Sequence, residues 1–235
     1  MTTISAESAK RLLKDIKDIT KRPLCNEGIF YKHDTEEMLK GYAMIIGPDY
    51  GLYAKGIYFF IFKFPTDYPF SPPIVEYCTN DGTTRFNPNL YRQGKVCLSI
   101  LNTWAGDSWT ACQTIRSVLL QLLLLFNDKP LLNEPGVTES HVDYVKYHKI
   151  IEYKNISYSI YEQYIRKTPD LFNILFKEEI KQHIQSNINE IHNTCKKLKE
   201  IYPKSRVEKT KLYNMTTIID YNQLTNNIDL LKQTF

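Results

Sequence analysis

The stretch Ile57-Tyr58-Phe59-Phe60-Ile61-Phe62-Lys63-Phe64-Pro65-Thr66-Asp67-Tyr68-Pro69-Phe70-Ser71-Pro72-Pro73 changes character halfway along. Its first six residues are β-branched or aromatic, the composition of a strand. From Pro65 onward each proline fixes φ and removes a backbone donor, so a central strand cannot continue there. The strand therefore covers about 56–64 and gives way to a segment of fixed loop. Working toward the N-terminus, similar runs at about 28–32 and 38–46 give two more strands, and a fourth falls near 74–78. Gly47-Pro48-Asp49-Tyr50-Gly51 is a turn cluster between the second and third. Short connections between sequential strands imply an antiparallel meander.

Helical signals flank this core. Over 5–21, Ser5 stands at a cap position, Ala9, Leu12, Leu13, Ile16 and Ile19 share a face, and Pro23 ends the run. The other face carries Lys10, Arg11, Lys14, Lys17 and Lys21, which suits either a solvated surface or a docking surface for an acidic partner. After the proline-broken region 65–111, Thr110 and Gln113 have capping-box spacing and predict a helix from about 111 to 127. Its apolar face is Ile115, Val118, Leu119, Leu122 and Phe126. Beyond Gly136 the pattern predicts helices at about 138–166, about 170–202 with Asp170 as cap after Pro169, and about 220–233. Residues 203–218, with Lys204, Arg206, Lys209 and Lys211, read as a flexible basic connector. The class is α+β, with a core domain over 1–165 and a helical C-terminal extension over 166–235.

Composition sets outer limits. A chain of 235 residues with 43% hydrophobic and 24% charged residues is ordinary for a soluble globular protein. A formal charge of +4 biases it toward acidic partners, and no nucleic-acid signature accompanies it. The longest apolar run, 118–126, is interrupted by Gln121 and too short to span a bilayer, so no membrane partner is expected. Lys10, Arg11 and Lys14 interrupt any signal-like run. Five cysteines at 25, 78, 97, 112 and 195 form no C-x-x-C pair, so neither a zinc site nor a disulfide framework is expected. The expectation is a reduced, intracellular protein, cytoplasmic or nuclear.

The proline-rich run continues in Arg85-Phe86-Asn87-Pro88-Asn89-Leu90-Tyr91 and Gly94-Lys95-Val96-Cys97-Leu98-Ser99-Ile100-Leu101, then Trp109 and Thr114-Ile115. This ordered set resembles the ubiquitin-conjugating enzyme family over roughly residues 5–160. The resemblance implies that Cys97 carries ubiquitin or a ubiquitin-like protein as a thioester. An activating enzyme would load it in an ATP-dependent pathway, and transfer to a protein substrate's lysine would usually involve a ubiquitin ligase. No cofactor is implied. About 3% of an ordinary thiol is ionised at pH 7, enough to exchange with an already activated thioester. The five histidines (33, 141, 148, 183, 192) all lie far from Cys97 in sequence, which disfavours a locally built Cys-His hydrolase. The plain alternative for Cys97 is a buried inert thiol, which is also the reading for Cys25, Cys78, Cys112 and Cys195.

By the same resemblance, the Asn89 amide stabilises the oxyanion of aminolysis or holds the active-site loop, and Glu134 orients an incoming lysine. The plain alternatives are a turn asparagine and a surface glutamate. Asn87, Pro88 and Trp109 would support the loop. Pro69 and Phe70 match one ligase-contact loop and Thr110 and Ala111 another; local packing is the plain alternative for Phe70. Lys10, Arg11, Lys14 and Lys17 would meet the activating enzyme. The chain departs from the family pattern at Asn87, usually histidine, and at Ala111, usually proline. It also carries Asn102-Thr103-Trp104-Ala105-Gly106-Asp107-Ser108 where compact members are shorter. That segment and Asn133-Glu134-Pro135-Gly136 resemble a long-form branch, with a helical extension and in some members a second ubiquitin-like modifier. Two rivals remain open: a conjugating enzyme for another modifier, and a silent relative that only binds ubiquitin or a ligase.

Overall fold

The apolar run at 57–62 lies inside a four-stranded sheet in the computed structural model of the chain, which describes residues 4–165 and 171–235. In chain order the elements are α1 Ala6–Lys21, β1 Ile29–His33, β2 Lys40–Ile46, β3 Ile57–Lys63, β4 Ile74–Tyr77, α2 Ile115–Leu123 and α3 Tyr144–Lys154. They continue with α4 Gln163–Ile165, α5 Leu171–Leu175, α6 Lys177–Ile201, β5 Arg206–Thr210, β6 Met215–Ile219 and α7 Tyr221–Lys232. The sheet order is β1-β2-β3-β4 with every neighbour antiparallel, the expected meander.

Side chains of a strand alternate between faces, so an unbroken apolar run means that both faces are covered. Tyr58, Phe60 and Phe62 of β3 join Ala43 and Ile45 of β2 in one core, with Ile115, Val118 and Leu122 of α2, Tyr147 and Ile150 of α3, and Leu12 of α1. Phe126 stacks on Tyr58 at 4.2 Å between centroids. On the other face Ile57, Phe59, Tyr42 and Met44 meet Phe172, Phe176, Ile180, Ile184 and Ile188 of the C-terminal helices. Phe172 stacks on Phe59 at 4.6 Å. Burying a ring of this size contributes about 1.5–3 kcal/mol. Ile156 and Ile160 of the segment after α3 join these helices in covering that face of the sheet.

Several expected boundaries shift for local reasons. Ser5 Oγ accepts the Ser8 N–H at 3.0 Å and caps α1, but Leu13 is 56% exposed and leaves the apolar stripe. Thr110 and Gln113 bond each other across a turn and do not cap a helix. Thr114 is extended behind that turn, and with Ser117 it forms the capping box that starts α2 at Ile115. The helix stops at Leu123, where tighter i→i−3 bonds from Leu125 and Phe126 take over. After Gly136, turns precede α3, which widens into a π-helix over Asn155–Glu162. There the buried Asn155 amide accepts from the Tyr58 hydroxyl and donates to the Ala54 carbonyl. The expected cap Asp170, with Pro169, lies outside the described residues.

The main correction concerns 203–218, which is a β-hairpin and not a flexible connector. Met215, Thr217 and Ile219 are buried while Thr216 and Ile218 are exposed, the alternation of a half-covered strand. Asp143, just before α3, pins the hairpin end: its Oδ2 accepts the Lys211 N–H at 3.0 Å and the Leu212 N–H at 2.8 Å. Among the described residues no helix is long and apolar enough to cross a membrane.

Candidate active site

Between β4 and α2 the chain is held by side chains more than by ladders. Asp81 accepts the N–H groups of Thr83 and Thr84, and pairs with Lys154 of α3 at 2.8 Å. Burial alone would raise its pKa, but Lys154 and those amides bring it down to about 2. This fixes the start of the segment 85–91. There the Arg85 guanidinium reaches back to the Asn87 carbonyl at 3.2 Å and the Pro88 carbonyl at 2.6 Å. The Tyr147 hydroxyl donates to the Arg85 carbonyl at 2.9 Å.

Asn87, a departure from the pattern of the family that the sequence resembles, is fully buried. Its amide donates to the Leu125 carbonyl at 2.8 Å, and its Oδ1 accepts the Asn89 N–H at 2.9 Å. A planar group with one donor and one acceptor is what this position uses, and asparagine supplies both. Pro88 is buried beside it. Asn89 then closes on the cysteine: its Nδ2 donates to the Cys97 carbonyl at 2.7 Å, and its own carbonyl accepts the Cys97 N–H at 2.9 Å. One amide hydrogen is thus committed to holding the loop and one is left over. The Asn89 Oδ1 is buried and has no hydrogen-bond partner among the described residues.

Leading into the cysteine, Gly94 turns the chain with φ +90°, and its carbonyl accepts the Tyr77 N–H at 2.7 Å. A Cβ there would be strained and would sit 2.9 Å from Glu76 Cγ. Cys97 itself is 2% exposed. Thr103, within 102–108, braces it from both sides: its hydroxyl lies 2.9 Å from the Val96 carbonyl and accepts the Leu98 N–H at 2.9 Å. The other cysteines depart from the expectation of buried inert thiols. Cys25 and Cys112 are exposed and Cys78 is half-buried; only Cys195 is buried, and that burial, with Asp229 nearby, pushes its thiol up to about 12. All five histidines have partners away from Cys97: the Met38 carbonyl, the Asp143 N–H, the Tyr144 carbonyl, the Lys55 carbonyl and Asp229.

The loop bearing Glu134 is joined to this segment, since Asn133 Nδ2 lies 3.5 Å from Asn87 Oδ1. Glu134 accepts a hydrogen bond at 2.5 Å from the hydroxyl of Tyr213, at the tip of the β5–β6 hairpin. Tyr213 escaped the sequence reading because no motif marks it and its segment looked polar. The available signal was the alternating Met215-Thr216-Thr217-Ile218-Ile219 directly after Asn214.

The expected partner surfaces divide. Phe70 is 66% exposed and Thr110 and Ala111 are exposed beside it. Pro69 is buried, its carbonyl accepting the Trp109 indole N–H at 2.7 Å, so it joins the two loops from beneath and offers a partner little surface. Trp109 is buried against Tyr68. On α1, Lys10, Lys14 and Lys17 are exposed, but Arg11 is drawn inward. Its fork pairs with Asp15 at 3.2 Å and donates to the carbonyls of Ala111 and Gln113. Arg11 therefore ties α1 to the 110–113 turn and is not a free cation. Among the described residues no group of three His, Cys, Asp or Glu side chains could hold a metal.

A thiol gripped through its own backbone by an amide, with a carboxylate one loop away, can exchange thioesters and guide an amine. Comparison with known proteins identifies the family and relatives that this chain resembles. The family described as "Ubiquitin-conjugating enzyme" matches residues 11–157. The chain is 41% identical over 162 residues to ubiquitin-conjugating enzyme E2 Z of Homo sapiens, covering 68% of this chain and 45% of that protein. It is 36% identical over 193 residues to the probable ubiquitin-conjugating enzyme protein 17 of Caenorhabditis elegans, covering 76% of this chain and 26% of that protein. It is 35% identical over 205 residues to the dual E2 ubiquitin-conjugating enzyme/E3 ubiquitin-protein ligase BIRC6 of Homo sapiens, covering 81% of this chain and 4% of that protein. The chain thus spans under half the length of these relatives.

Proposed function

This chain belongs to the ubiquitin-conjugating enzyme family, and on that premise we propose that it accepts ubiquitin as a thioester on Cys97 and passes it to a substrate lysine. In loading, the Cys97 thiolate attacks the carbonyl carbon of the activating enzyme's thioester; the new C–S bond forms, the old C–S bond breaks and the activating enzyme's sulfur leaves as thiolate. In discharge, a lysine nitrogen attacks the Cys97 thioester. The amine proton passes toward Glu134, the isopeptide bond forms, and the Cys97 thiolate departs. Asn89 holds the Cys97 carbonyl and offers its second amide hydrogen to the oxyanion. The observation that supports this reading is the hydrogen-bond chain from Cys97 through Asn89 and Asn87 to Asn133, the neighbour of Glu134. We place the protein in a reducing compartment, where the thiol stays free.

The test is charging by purified activating enzymes with ATP and a panel of modifiers. Ubiquitin should form one adduct that a thiol reductant removes. A reductant-sensitive adduct with another ubiquitin-like protein and none with ubiquitin would shift the cargo. No adduct with any modifier would leave a binding module, which the shelter around Cys97 would then suit.

We further assign the exposed Lys10, Lys14 and Lys17 of α1 to the activating enzyme, and Phe70, Thr110 and Ala111 to a ligase. Exposed charges steer encounters and are screened by salt within about 10 Å at 0.1 M. Lys14→Glu with Lys17→Glu should therefore slow charging more at low salt than at high salt. An equal rate at both would return this face to solvent.

A further inference from the structure

We propose that Tyr213, delivered by the C-terminal β5–β6 hairpin, is a positioning residue for the lysine-directed step, holding the Glu134 carboxylate with one oxygen free for the incoming ammonium. This inference rests on the reading that Glu134 serves the lysine. A glutamate on a loop has free rotations about three bonds, and a carboxylate that wanders cannot guide an amine. Here the Tyr213 hydroxyl donates to Oε2 at 2.5 Å, a short charge-assisted bond, and leaves Oε1 to accept from a lysine.

Tyr213 is itself held. The hairpin end is pinned by Asp143 through two backbone N–H groups, and the Tyr213 carbonyl accepts from Arg92. Its backbone is left-handed, φ 62°, a conformation costly for tyrosine that the surrounding bonds maintain. The ring meets Tyr147 edge-on at 6.0 Å between centroids and lies 5.1 Å from the Arg85 guanidinium carbon. Arg85 is the residue that grips the Asn87 and Pro88 carbonyls. One side chain from the far end of the chain thus touches both the acid and the support of the asparagine loop. Burial, reinforced by the Glu134 bond, raises the phenol further above neutrality, so it remains a neutral donor in the physiological range.

The experiment is single-turnover discharge of the ubiquitin-charged full chain onto free lysine and, separately, onto free cysteine. Thiol exchange needs no carboxylate to prepare the nucleophile, so it reports general loop damage. Tyr213→Phe keeps the ring and removes only the donor. It should slow lysine discharge about 10-fold, the size of one hydrogen bond to a charged group, and leave cysteine discharge unchanged. In a Glu134→Ala background Tyr213→Phe should add nothing. If Glu134→Ala slows lysine discharge and Tyr213→Phe does not, the role of Tyr213 is refuted while Glu134 keeps its own. If Glu134→Ala has no effect, the Glu134 reading falls and this inference with it. Equal slowing of lysine and cysteine discharge by Tyr213→Phe, or slowing that persists without Glu134, would also overturn it.

Discussion

Cys97→Ala should abolish the reductant-sensitive adduct, and Cys97→Ser should replace it with an adduct that reductant does not remove. The serine oxygen forms an ester in place of a thioester, and a thiol reductant does not cleave an ester under the same conditions. The expected loss in the alanine variant is complete, because an adduct that reductant removes needs a thiol and the substitution takes away the one in this loop. The structure supplies the stringent control. Cys25 and Cys112 are exposed while Cys97 is 2% exposed, so accessibility alone would favour the wrong thiols. Cys25→Ser and Cys112→Ser should charge normally. An adduct that survives Cys97→Ala and disappears in one of the other two would show that accessibility, and not the loop around Cys97, selects the acceptor.

The second large effect is expected at Asn89. Aminolysis passes through a tetrahedral oxyanion, and a lysine with a pKa of about 10.4 is almost wholly protonated at pH 7. Removing one preorganised amide donor from such a site typically costs about 10²–10³ in rate, so Asn89→Ala should slow lysine discharge by that much. Here the amide also ties the Cys97 carbonyl at 2.7 Å, so the loss combines a missing donor with a looser loop. Charging should be affected far less, because the thiol attacks a carbonyl held by the activating enzyme. Measuring both steps on one preparation decides the matter. A discharge rate within a factor of a few of the wild type, at unchanged charging, would leave Asn89 as loop scaffolding only.

The chemistry-bearing segment was legible because its constraints are local. Prolines at 65, 69, 72, 73 and 88 force irregular backbone wherever they occur, and Asn87, Asn89 and Cys97 lie close enough in sequence to bond one another once that backbone is fixed. The strands were legible from composition, since runs of β-branched and aromatic residues favour extended backbone wherever they occur. Arg11 shows the limit of such reading. Helical spacing places it among Lys10, Lys14 and Lys17, but only the packed position of the 110–113 turn reveals that its fork has two carbonyls to bind. The cap at Thr114, misread as Thr110, is a contest between two local motifs that the path of the chain into α2 decided.

By itself, then, the sequence determined the meander, the proline-built loop and the cysteine with its asparagine neighbours, all products of short-range sterics and hydrogen bonding. What it could not determine is which elements cover the two faces of the unbroken apolar run at 57–62, the second being met largely by helices more than a hundred residues further on. Nor could it place Tyr213 on Glu134, a contact across 79 positions that exists only because Asp143 pins the hairpin to the start of α3. Contacts of that span leave no periodicity in the chain; they follow from which surfaces remain apolar after local structure has formed, and tertiary packing alone decides them.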